Sequence, residues 1–215
     1  MSTPFISEPP QSSSSRIPFK SRTRHAIRAH QHRANNPHRK PLMRTRPARL
    51  QDAPAIYQLI ESFCHDGTLL HRSYAEICKN IYTFTIVETE SSGFIGCASL
   101  HIYGPHLAEV RSIVVRPGAT GHGAGSLLIR SLLHQANELG IKCVCLFTRI
   151  PAFFEHFHFS TANRHSLRDK VLKDCRHCAR RNACDETAMT IGEPPYLSPA
   201  NLSDRQTGNL VQLQL

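Results

Sequence analysis

The chain has 215 residues, of which 26 are Lys or Arg and 16 are Asp or Glu, so its formal net charge is +10 at neutral pH. A chain of this length can bury the core of one ordinary domain and still leave room for unstructured ends. No apolar run approaches the roughly 20 residues of a transmembrane helix, which argues against an integral membrane protein. We therefore expect a soluble, cytoplasmic chain without a secretory signal.

The positive charge is concentrated at the start of the chain. Residues 1–49 contain two Lys and nine Arg against Glu8 alone, a net of +10, whereas the rest has fifteen basic and fifteen acidic residues. The same stretch has seven prolines and no glycine or cysteine. Such a segment cannot bury enough apolar surface to fold and is predicted to be disordered. We expect a disordered basic tail at 1–44, one domain at 45–192 and a second disordered tail at 193–215.

Three roles for the basic tail remain open from the sequence. It can be a solvated extension without a specific partner. Its Arg and Ser content also resembles an organellar transit peptide, which would move the protein from the cytoplasm to an organelle. Contact with the phosphates of nucleic acid or with other anionic surfaces is the third role, and nucleic acid is the less favoured partner.

The folded part begins with patterns typical of two helices and two strands. Asp52 is the expected N-cap of the first helix, and Pro54 fits its first turn. The apolar residues of the two helices recur at helical spacing: Ala53, Ile56, Leu59, Ile60 and Phe63, then Ala75, Ile77, Cys78 and Ile81. Two strand-like runs, at 82–87 and 94–100, are joined by a short polar segment, which predicts a hairpin.

The middle of the chain predicts a strand, a glycine loop and a helix. A nearly continuous apolar run at 110–115 reads as a buried strand, and Pro117 ends it. Three alternate glycines follow, then an apolar stripe at 128–139 and a C′ glycine at Gly140. Another apolar strand is expected at 141–147. The order α, α, β, β, β, α, β, followed by a short Phe-rich segment, predicts a mixed α/β single domain.

The glycine loop has the chemistry of a phosphate site. Gly121, Gly123 and Gly125 would leave backbone N–H groups free at the positive end of a helix dipole. A P-loop is excluded because the loop contains no lysine, and a dinucleotide fingerprint is excluded because Ser126 stands where its third glycine belongs. The loop instead resembles the acetyl-CoA pyrophosphate loop of GNAT N-acetyltransferases, whose pattern is Arg/Gln-x-x-Gly-x-Gly/Ala.

Further stretches strengthen this resemblance. They occur at 67–73, 108–115, 146–149, 151–159, 170–178 and 184–189. Together with the loop they are similar to one branch of the GNAT enzymes, the short, kinase-domain-free amino-acid N-acetyltransferases and N-acetylglutamate synthases of arginine biosynthesis. The resemblance implies a GNAT fold, a mixed α/β sheet in one domain, and acetyl-CoA as the acetyl donor.

Three positions depart from the family pattern. Thr120 stands where the family has Arg or Gln, so the loop would hold phosphate mainly through its backbone. His158 stands where a glycine is usual, and Leu172 replaces a tryptophan that often precedes Lys-Asp-Cys.

Acetyl transfer to an amine needs a proton acceptor, stabilisation of an oxyanion and a proton for the leaving thiolate. The resemblance places Glu109 as the base, and a glutamate in an ion pair is the alternative. Backbone N–H groups of Ile113, Val114 and Val115 would stabilise the oxyanion. Thr148 would protonate the thiolate, and a strand-end threonine that caps backbone is the alternative.

The resemblance also implies the residues that bind donor and acceptor. Those expected to contact acetyl-CoA are Ile113, Val114, Val115, Thr120, Gly121, His122, Gly123, Ala124, Gly125, Ser126 and Phe154. For Phe154 and its neighbour Phe153, core packing is the alternative. Arg72 and Ser73 would bind a small acceptor, for which L-glutamate is the best candidate, because a guanidinium suits a carboxylate. Arg149 is a weaker candidate for a second carboxylate or a CoA phosphate.

Alternatives to this function stay open. The acceptor can be another small amine or a protein amine, and a non-catalytic module that binds acyl-CoA or nucleic acid is the alternative from another class. A homodimer is one candidate for the oligomeric state.

The eight cysteines form two groups. Five lie in apolar helix or strand patterns and read as small core residues: Cys64, Cys78, Cys97, Cys143 and Cys145. The spacing of Cys175, Cys178 and Cys184 begins like a metal site but lacks a good fourth ligand. We therefore expect a reduced knuckle rather than a metal.

Overall fold

The computed structural model describes residues 42–65, 67–178 and 180–195, so most of both predicted tails lies outside the described residues. The strands are β1 (Met43–Pro47), β2 (Phe84–Thr89), β3 (Gly93–Gly104), β4 (Leu107–Val115), β5 (Cys143–Thr148), β6 (Ser160–Thr161) and β7 (Thr187–Gly192). The helices are α1 (Ala53–Glu61), α2 (Tyr74–Lys79), α3 (Ala124–Glu138), α4 (Pro151–Glu155) and α5 (Arg168–Lys173). Within these ranges the strands form one sheet in the order β1-β2-β3-β4-β5-β7-β6, parallel only between β4 and β5. The predicted mixed α/β class is confirmed.

Helices cover both faces of this sheet. On one face, α3 buries Leu128 and Leu132 in a cluster that includes Val87. On the other face, α1 buries Ile60 in a cluster that includes Ile86. Because Ile86 and Val87 are neighbours on β2, their side chains point to opposite faces. Each fully buried Leu or Ile contributes roughly 1.5–3 kcal/mol of transfer free energy, and this two-sided burial keeps the sheet in place. None of the helices in the described part of the chain is long and apolar enough to cross a membrane.

β1 lies inside the stretch that composition predicted to be disordered. It pairs antiparallel with β2 along its whole length. The side chains of Arg44 and Arg46 also donate to Glu88 at 2.8 and 3.2 Å. The predicted tail at 1–44 was therefore wrong for Met43 and Arg44, whereas the rest of β1 lies in the domain predicted at 45–192. The error arose because the pairing strand and the neutralising carboxylate are distant in sequence, so a local count of charge and proline does not include them.

β4 and β5 run side by side only at their starts. Their parallel pairing is confined to Ala108 opposite Val144 and Glu109 opposite Cys145. Further along, the register between β3 and β4 shifts, and Ser112 has a φ of 51°, in the left-handed region. Such a bulge adds one residue to a strand and bends it. β4 and β5 therefore separate beyond Glu109 and leave a wedge between their carboxyl ends.

The predicted strand, glycine loop and helix are all present. Gly123 immediately precedes α3 with a φ of 93°, and Gly140 follows the helix with a φ of 67°. A residue with a Cβ in this left-handed region costs roughly 1–2 kcal/mol, so glycine suits both positions. The predicted C′ role of Gly140 is confirmed.

One local prediction needs correction, and one further strand was not predicted. Asp52 precedes α1, but its carboxylate makes no capping bond to that helix. It accepts instead from the Arg46 guanidinium and from the Arg49 backbone N–H. Strand β7 was not predicted, because its pairing with β5 joins segments that are far apart in the sequence.

The core role predicted for the first group of cysteines is supported by their burial. Cys97, Cys143 and Cys145 are buried in the sheet, whereas Cys64 and Cys78 are half-buried against the cluster of α1 and α2. Burial raises the pKa of the Cys143 thiol to about 11 and raises the pKa of the Cys97 and Cys145 thiols further. These thiols stay protonated at neutral pH and behave as small apolar groups.

Candidate active site

The wedge between β4 and β5 contains a cavity of about 330 Å³. Its walls bring together residues that the sequence predicted for donor, acceptor and catalytic roles: Arg72, Glu109, Ile113, Thr148 and Phe154. Arg149 also lines it. Ligand sites in α/β proteins commonly lie beyond the carboxyl ends of parallel strands, and this cavity has that position.

Glu109 is a buried carboxylate in the wall of this cavity, with a side chain only 3% exposed. Its Oε1 lies 2.7 Å from the Lys170 ammonium. Its Oε2 accepts from the Tyr103 hydroxyl at 2.8 Å and lies 3.0 Å from the Arg111 guanidinium. Two cations and a phenol therefore hold the carboxylate in one orientation, which satisfies a charge that would otherwise be costly to bury.

Asp174 extends this ionic cluster. It lies 3.0 Å from Lys170 and 3.4 Å from Arg111, and the Tyr103 hydroxyl is 3.2 Å away. Burial alone would raise the pKa of Asp174, but the charges of Lys170 and Arg111 lower it below its ordinary value. Burial would lower the pKa of Lys170, but the charge of Glu109 and its hydrogen bond raise it. The cluster thus contains two carboxylates and two cations. The shifted pKa values of Asp174 and Lys170 keep these two groups ionised at neutral pH.

The two residues predicted to bind the acceptor substrate are neighbours in the sequence but make different contacts. The Arg72 guanidinium lines the cavity and donates to Glu76 at 2.6 Å. The Ser73 hydroxyl accepts from the Glu76 backbone N–H at 3.1 Å, as an N-cap of α2. Ser73 does not line the cavity, so its visible role is to start the helix that carries the Arg72 partner.

Thr148 ends β5, and its hydroxyl accepts from the Ile150 backbone N–H at 3.0 Å. Because the hydroxyl acts as acceptor in this contact, its proton stays available to another group. Phe154 is 3% exposed, packs in the core with α3 and also lines the cavity, so core packing holds and contact with acetyl-CoA stays a prediction. Arg149 pairs with Asp185 at 3.0 Å at the exposed mouth.

The glycine loop does not line this cavity but leads into α3. Gly123 occupies the N-cap position, so no side chain caps the helix, and its first turn holds no acidic residue. His122 and Thr120 are bonded to each other through Nδ1 and a backbone oxygen at 2.8 Å. A 15-residue helix with such an uncapped start offers backbone N–H groups to an anion. Of the predicted donor residues, Val114 packs among the residues of α1 and Val115 against those of α3, and neither lines the cavity.

The model of one protein family, the acetyltransferase (GNAT) family, matches residues 51–159, which is half of the chain. The chain belongs to the GNAT family. The predicted resemblance is therefore confirmed, and the wedge with its cavity and the loop before α3 are parts of a GNAT fold.

Relatives of this GNAT chain agree with that assignment. An uncharacterized N-acetyltransferase of Chlorobaculum tepidum is 33% identical over 144 residues, which cover 67% of this chain and 92% of the relative. An amino-acid acetyltransferase of Mycobacterium tuberculosis is 31% identical over 117 residues, 54% of this chain and 67% of the relative. The solved N-acetylglutamate synthase of Neisseria gonorrhoeae, complexed with coenzyme A and N-acetyl-glutamate, is 25% identical with a TM-score of 0.61, over 72% of this chain and 36% of the synthase.

As a GNAT acyltransferase, the protein is an enzyme whose acetyl donor is acetyl-CoA, as predicted. The loop before α3, which corresponds to the acetyl-CoA loop of GNAT enzymes, is also suited to bind this donor. The loop before α3 presents backbone donors without acidic side chains, and Gly125 has only the Phe153 ring near its missing Cβ, at 3.4 Å.

The sequence did not single out Arg111, Tyr103 or Lys170 of the site. A signal for Arg111 was present, because residues two apart on a strand share a face and Arg111 follows Glu109 by two. Tyr103 reaches the same face from β3, whose His101 is directly opposite Glu109. No comparable sequence signal indicated Lys170 as a site residue. It lies on α5, far along the chain, and only the fold brings it close to Glu109.

The second group of cysteines shows no metal-binding geometry. Among the residues in the described ranges, no group of three or more His, Cys, Asp or Glu is arranged to hold a metal ion. Cys175, Cys178 and Cys184 are half-buried free thiols, and the Cys184 sulfur is 3.3 Å from the Arg164 guanidinium.

Proposed function

We propose that this enzyme transfers the acetyl group of acetyl-CoA to the α-amine of L-glutamate, giving N-acetylglutamate. One observation carries the proposal: Arg72, Arg111 and Lys170 line the same cavity as Glu109. An amino acid with two carboxylates needs cations to hold it, and its amine needs a proton acceptor. The mycobacterial relative named amino-acid acetyltransferase and the Neisseria synthase solved with N-acetyl-glutamate support this acceptor.

On the donor side, the backbone N–H groups of residues 121–126 would hold the pyrophosphate of acetyl-CoA. Thr120 has no guanidinium to bind phosphate. Pyrophosphate binding would therefore depend on the backbone and on the helix dipole of α3. The backbone of Ile113 would lie at the acetyl end, since it lines the cavity on the stretch of β4 that no longer pairs with β5. Its amide would donate to the developing oxyanion.

Proton transfer would then follow from the side chains in the cavity. Glu109 would take a proton from the acceptor ammonium through a water molecule, using the Oε1 lone pair that Lys170 leaves free. The neutral amine would attack the thioester carbon, and the tetrahedral oxyanion would collapse with cleavage of the C–S bond. Thr148 would pass a proton to the CoA thiolate, and the second amine proton would replace it.

Arg72 would grip a carboxylate of the acceptor. Only one of its terminal nitrogens contacts Glu76, which leaves other donors of the guanidinium fork for a ligand. Ser73 would contribute by starting α2 and so fixing Glu76, rather than by touching the acceptor.

The experiment is an assay of the purified full chain with acetyl-CoA and a panel of amines, in which free CoA thiol is measured over time. The panel contains L-glutamate, L-glutamine, L-aspartate, L-lysine, spermidine and a peptide with a free N-terminus. We expect the highest kcat/KM for L-glutamate. A higher value for another amine would replace the acceptor, and binding of acetyl-CoA without release on any amine would overturn the proposed activity.

The product would give the enzyme a place in arginine biosynthesis, and we propose that it acts there in the cytoplasm. The proposed domain covers 45–192, extended by the start of β1. Measurement of the molecular mass of the protein in solution tests whether it forms a homodimer.

A further inference from the structure

A second, smaller cavity of about 60 Å³ adjoins the main one. The two cavities share Arg72, Arg111 and Ser112 in their walls. The small cavity, called the side cavity below, is closed by α2, by the turn before β2 and by the face of β3 that carries Ser99 and His101. A buried water needs only ~10–15 Å³ of such space, so the side cavity has room for a group of a few heavy atoms.

The walls of the side cavity favour an anionic group. Two guanidinium groups line it, and Glu76 is the carboxylate they face among the lining residues that the structure describes. Glu76 contacts one nitrogen of Arg72. The Arg111 terminal nitrogen is used by Glu109 and Tyr103, but its buried Nε has no hydrogen-bond acceptor within the described part of the chain. Two guanidinium groups therefore line this cavity with one carboxylate, and a buried donor without a partner is costly.

His101 adds a group that can respond to a bound charge. Its ring lies against the Tyr103 ring in an edge contact, with centroids 4.8 Å apart. Burial and the neighbouring Arg111 charge lower the pKa of His101 to about 4, so the imidazole is neutral at physiological pH. The charged or titratable groups around it are Arg72, Glu76, Tyr103, Glu109, Arg111, Lys173 and Asp174.

We propose that the side cavity binds the distal carboxylate of an amino-dicarboxylic acceptor and that His101 is the residue that recognises it. The inference rests on the proposed function, because the acceptor amine must reach Glu109 in the main cavity while the chain of the acceptor passes Arg72 and Arg111. A carboxylate placed there takes donors from both guanidinium groups. It also favours protonation of His101, which then supplies a third, charged donor.

This arrangement predicts a proton taken up with the acidic acceptor. Free His101 is neutral above about pH 4, whereas His101 beside a bound carboxylate has a higher pKa. Binding of the acid is therefore favoured below that higher pKa and weakens as pH rises through it. An acceptor of equal length without the distal carboxylate takes up no such proton.

The test uses the full chain, acetyl-CoA and three acceptors, L-glutamate, L-glutamine and L-norvaline, which carry a carboxylate, an amide and a methyl group at the same position. The ratio of kcat/KM for L-glutamate to that for L-norvaline should fall as pH rises from 5.5 to 8.5, and the titration of the common α-amine cancels in this ratio. His101→Gln should lower kcat/KM for L-glutamate about tenfold at the acidic end, the size of one lost charged hydrogen bond. It should lower kcat/KM for L-norvaline less than kcat/KM for L-glutamate, and it should remove the pH dependence of their ratio.

Two further variants sharpen the result. His134→Gln changes an exposed histidine of α3 and should leave every ratio as in the wild type. Ser99→Val adds volume to the side cavity from a strand position. It should raise KM for L-glutamate and L-glutamine more than for glycine, a fourth acceptor that has no side chain to enter the cavity. If L-glutamate is acetylated but its ratio to L-norvaline is insensitive to pH and to both cavity variants, the subsite is wrong while the proposed activity stands. If no amino acid releases CoA, the proposed function itself has failed.

Discussion

Glu109, the proposed base, is a carboxylate that is both buried and paired with cations. Its oxygens contact Lys170, Tyr103 and Arg111, and Asp174 is the second carboxylate of the cluster. In the proposed reaction Glu109 would pass its proton on through water before the next cycle.

Replacing Glu109 by glutamine separates this role from simple support of the fold. We expect kcat/KM for the acceptor to fall ~100–10,000-fold, the usual contribution of a positioned base, with KM for acetyl-CoA nearly unchanged. The measurement is initial CoA release at one fixed pH, with the acceptor concentration varied at saturating acetyl-CoA.

Tyr103→Phe is the matched control, because it removes one donor to Glu109 and keeps the carboxylate. It should lower kcat/KM by less than tenfold. Full turnover by Glu109→Gln would show that another group takes the proton.

His158 is one of the three positions at which the sequence departs from the expected family pattern, and its backbone has an unusual conformation. Its φ is 65°, the left-handed region that a glycine enters freely. His158→Gly should therefore raise the free energy of unfolding by about 0.5–1 kcal/mol, because relief of ~1–2 kcal/mol of strain is partly offset by the entropy of an added glycine.

Urea unfolding followed by circular dichroism measures this difference. His156→Gly is the control, since His156 has a φ of −62° at the end of α4 and gains nothing from glycine. It should lose stability, and equal losses in the two variants would contradict the strain at His158.

At the scale of elements, the sequence predicted what is local and missed what is paired at a distance. The strand, loop and α3 unit follow from neighbouring residues, and so does the position of Glu109 beside Arg111. β1, β7 and the approach of Lys170 to Glu109 depend on partners far along the chain. The side cavity could not be predicted either, because it exists only where α2 meets β3 and β4.

The loop before α3 allows a test of whether backbone N–H groups bind the pyrophosphate of acetyl-CoA. A Cβ at Gly123 would meet no clash, with Met43 Cε 4.0 Å away, but its φ of 93° makes any side chain strained. Gly123→Ala should cost about 1–2 kcal/mol of stability if the loop keeps its shape. If the loop relaxes instead, the N–H groups move, and KM for acetyl-CoA should rise about tenfold or more.

Gly118→Ala is the matched control for this loop. It lies in the neighbouring short turn, Pro117–Ala119, with open space around its missing Cβ and no left-handed φ. It should change neither stability nor KM for acetyl-CoA beyond the error of the measurements. Titration of coenzyme A by calorimetry reads out donor affinity without turnover. An unchanged affinity in a Gly123→Ala variant that also keeps its stability would contradict a backbone-held pyrophosphate, because the loop must then have relaxed.

Two of the charge clusters in the described part of the chain have different tasks. One is the site cluster of Glu109 and Lys170. The other ties the edge of the sheet to α1: Arg46 of β1 holds both oxygens of Asp52, at 2.7 and 2.9 Å, and also contacts Glu88 of β2. The Arg49 backbone N–H donates to Asp52 as well, at 2.7 Å. This second cluster closes the segment that composition alone predicted to be unstructured.

The Asp52 cluster makes the fold sensitive to acid. The hydrogen bond from Arg46 is the main cause that lowers the pKa of Asp52 below its ordinary value, against a smaller opposing effect of burial. An unfolded Asp titrates near pH ~3.9, so the stabilisation is complete above that pH and is lost as pH falls through the lower folded pKa. Asp52→Asn should thus lower the free energy of unfolding by about 2 kcal/mol at pH 7, because a charged bidentate contact and a backbone bond are weakened.

The measurement is urea unfolding of both proteins from pH 7 to pH 2.5. The difference between them should stay constant down to about pH 5 and shrink below about pH 4, where the wild-type carboxylate begins to lose its advantage. Asp185→Asn is the control, since the Asp185 side chain is 53% exposed and its pairs with Arg149 and Arg180 lie at the surface. Such exposed pairs contribute only ~0–1 kcal/mol, so this variant should lose little stability at any pH. An Asp52→Asn difference that does not shrink in acid would mean that shape rather than charge holds β1 against α1.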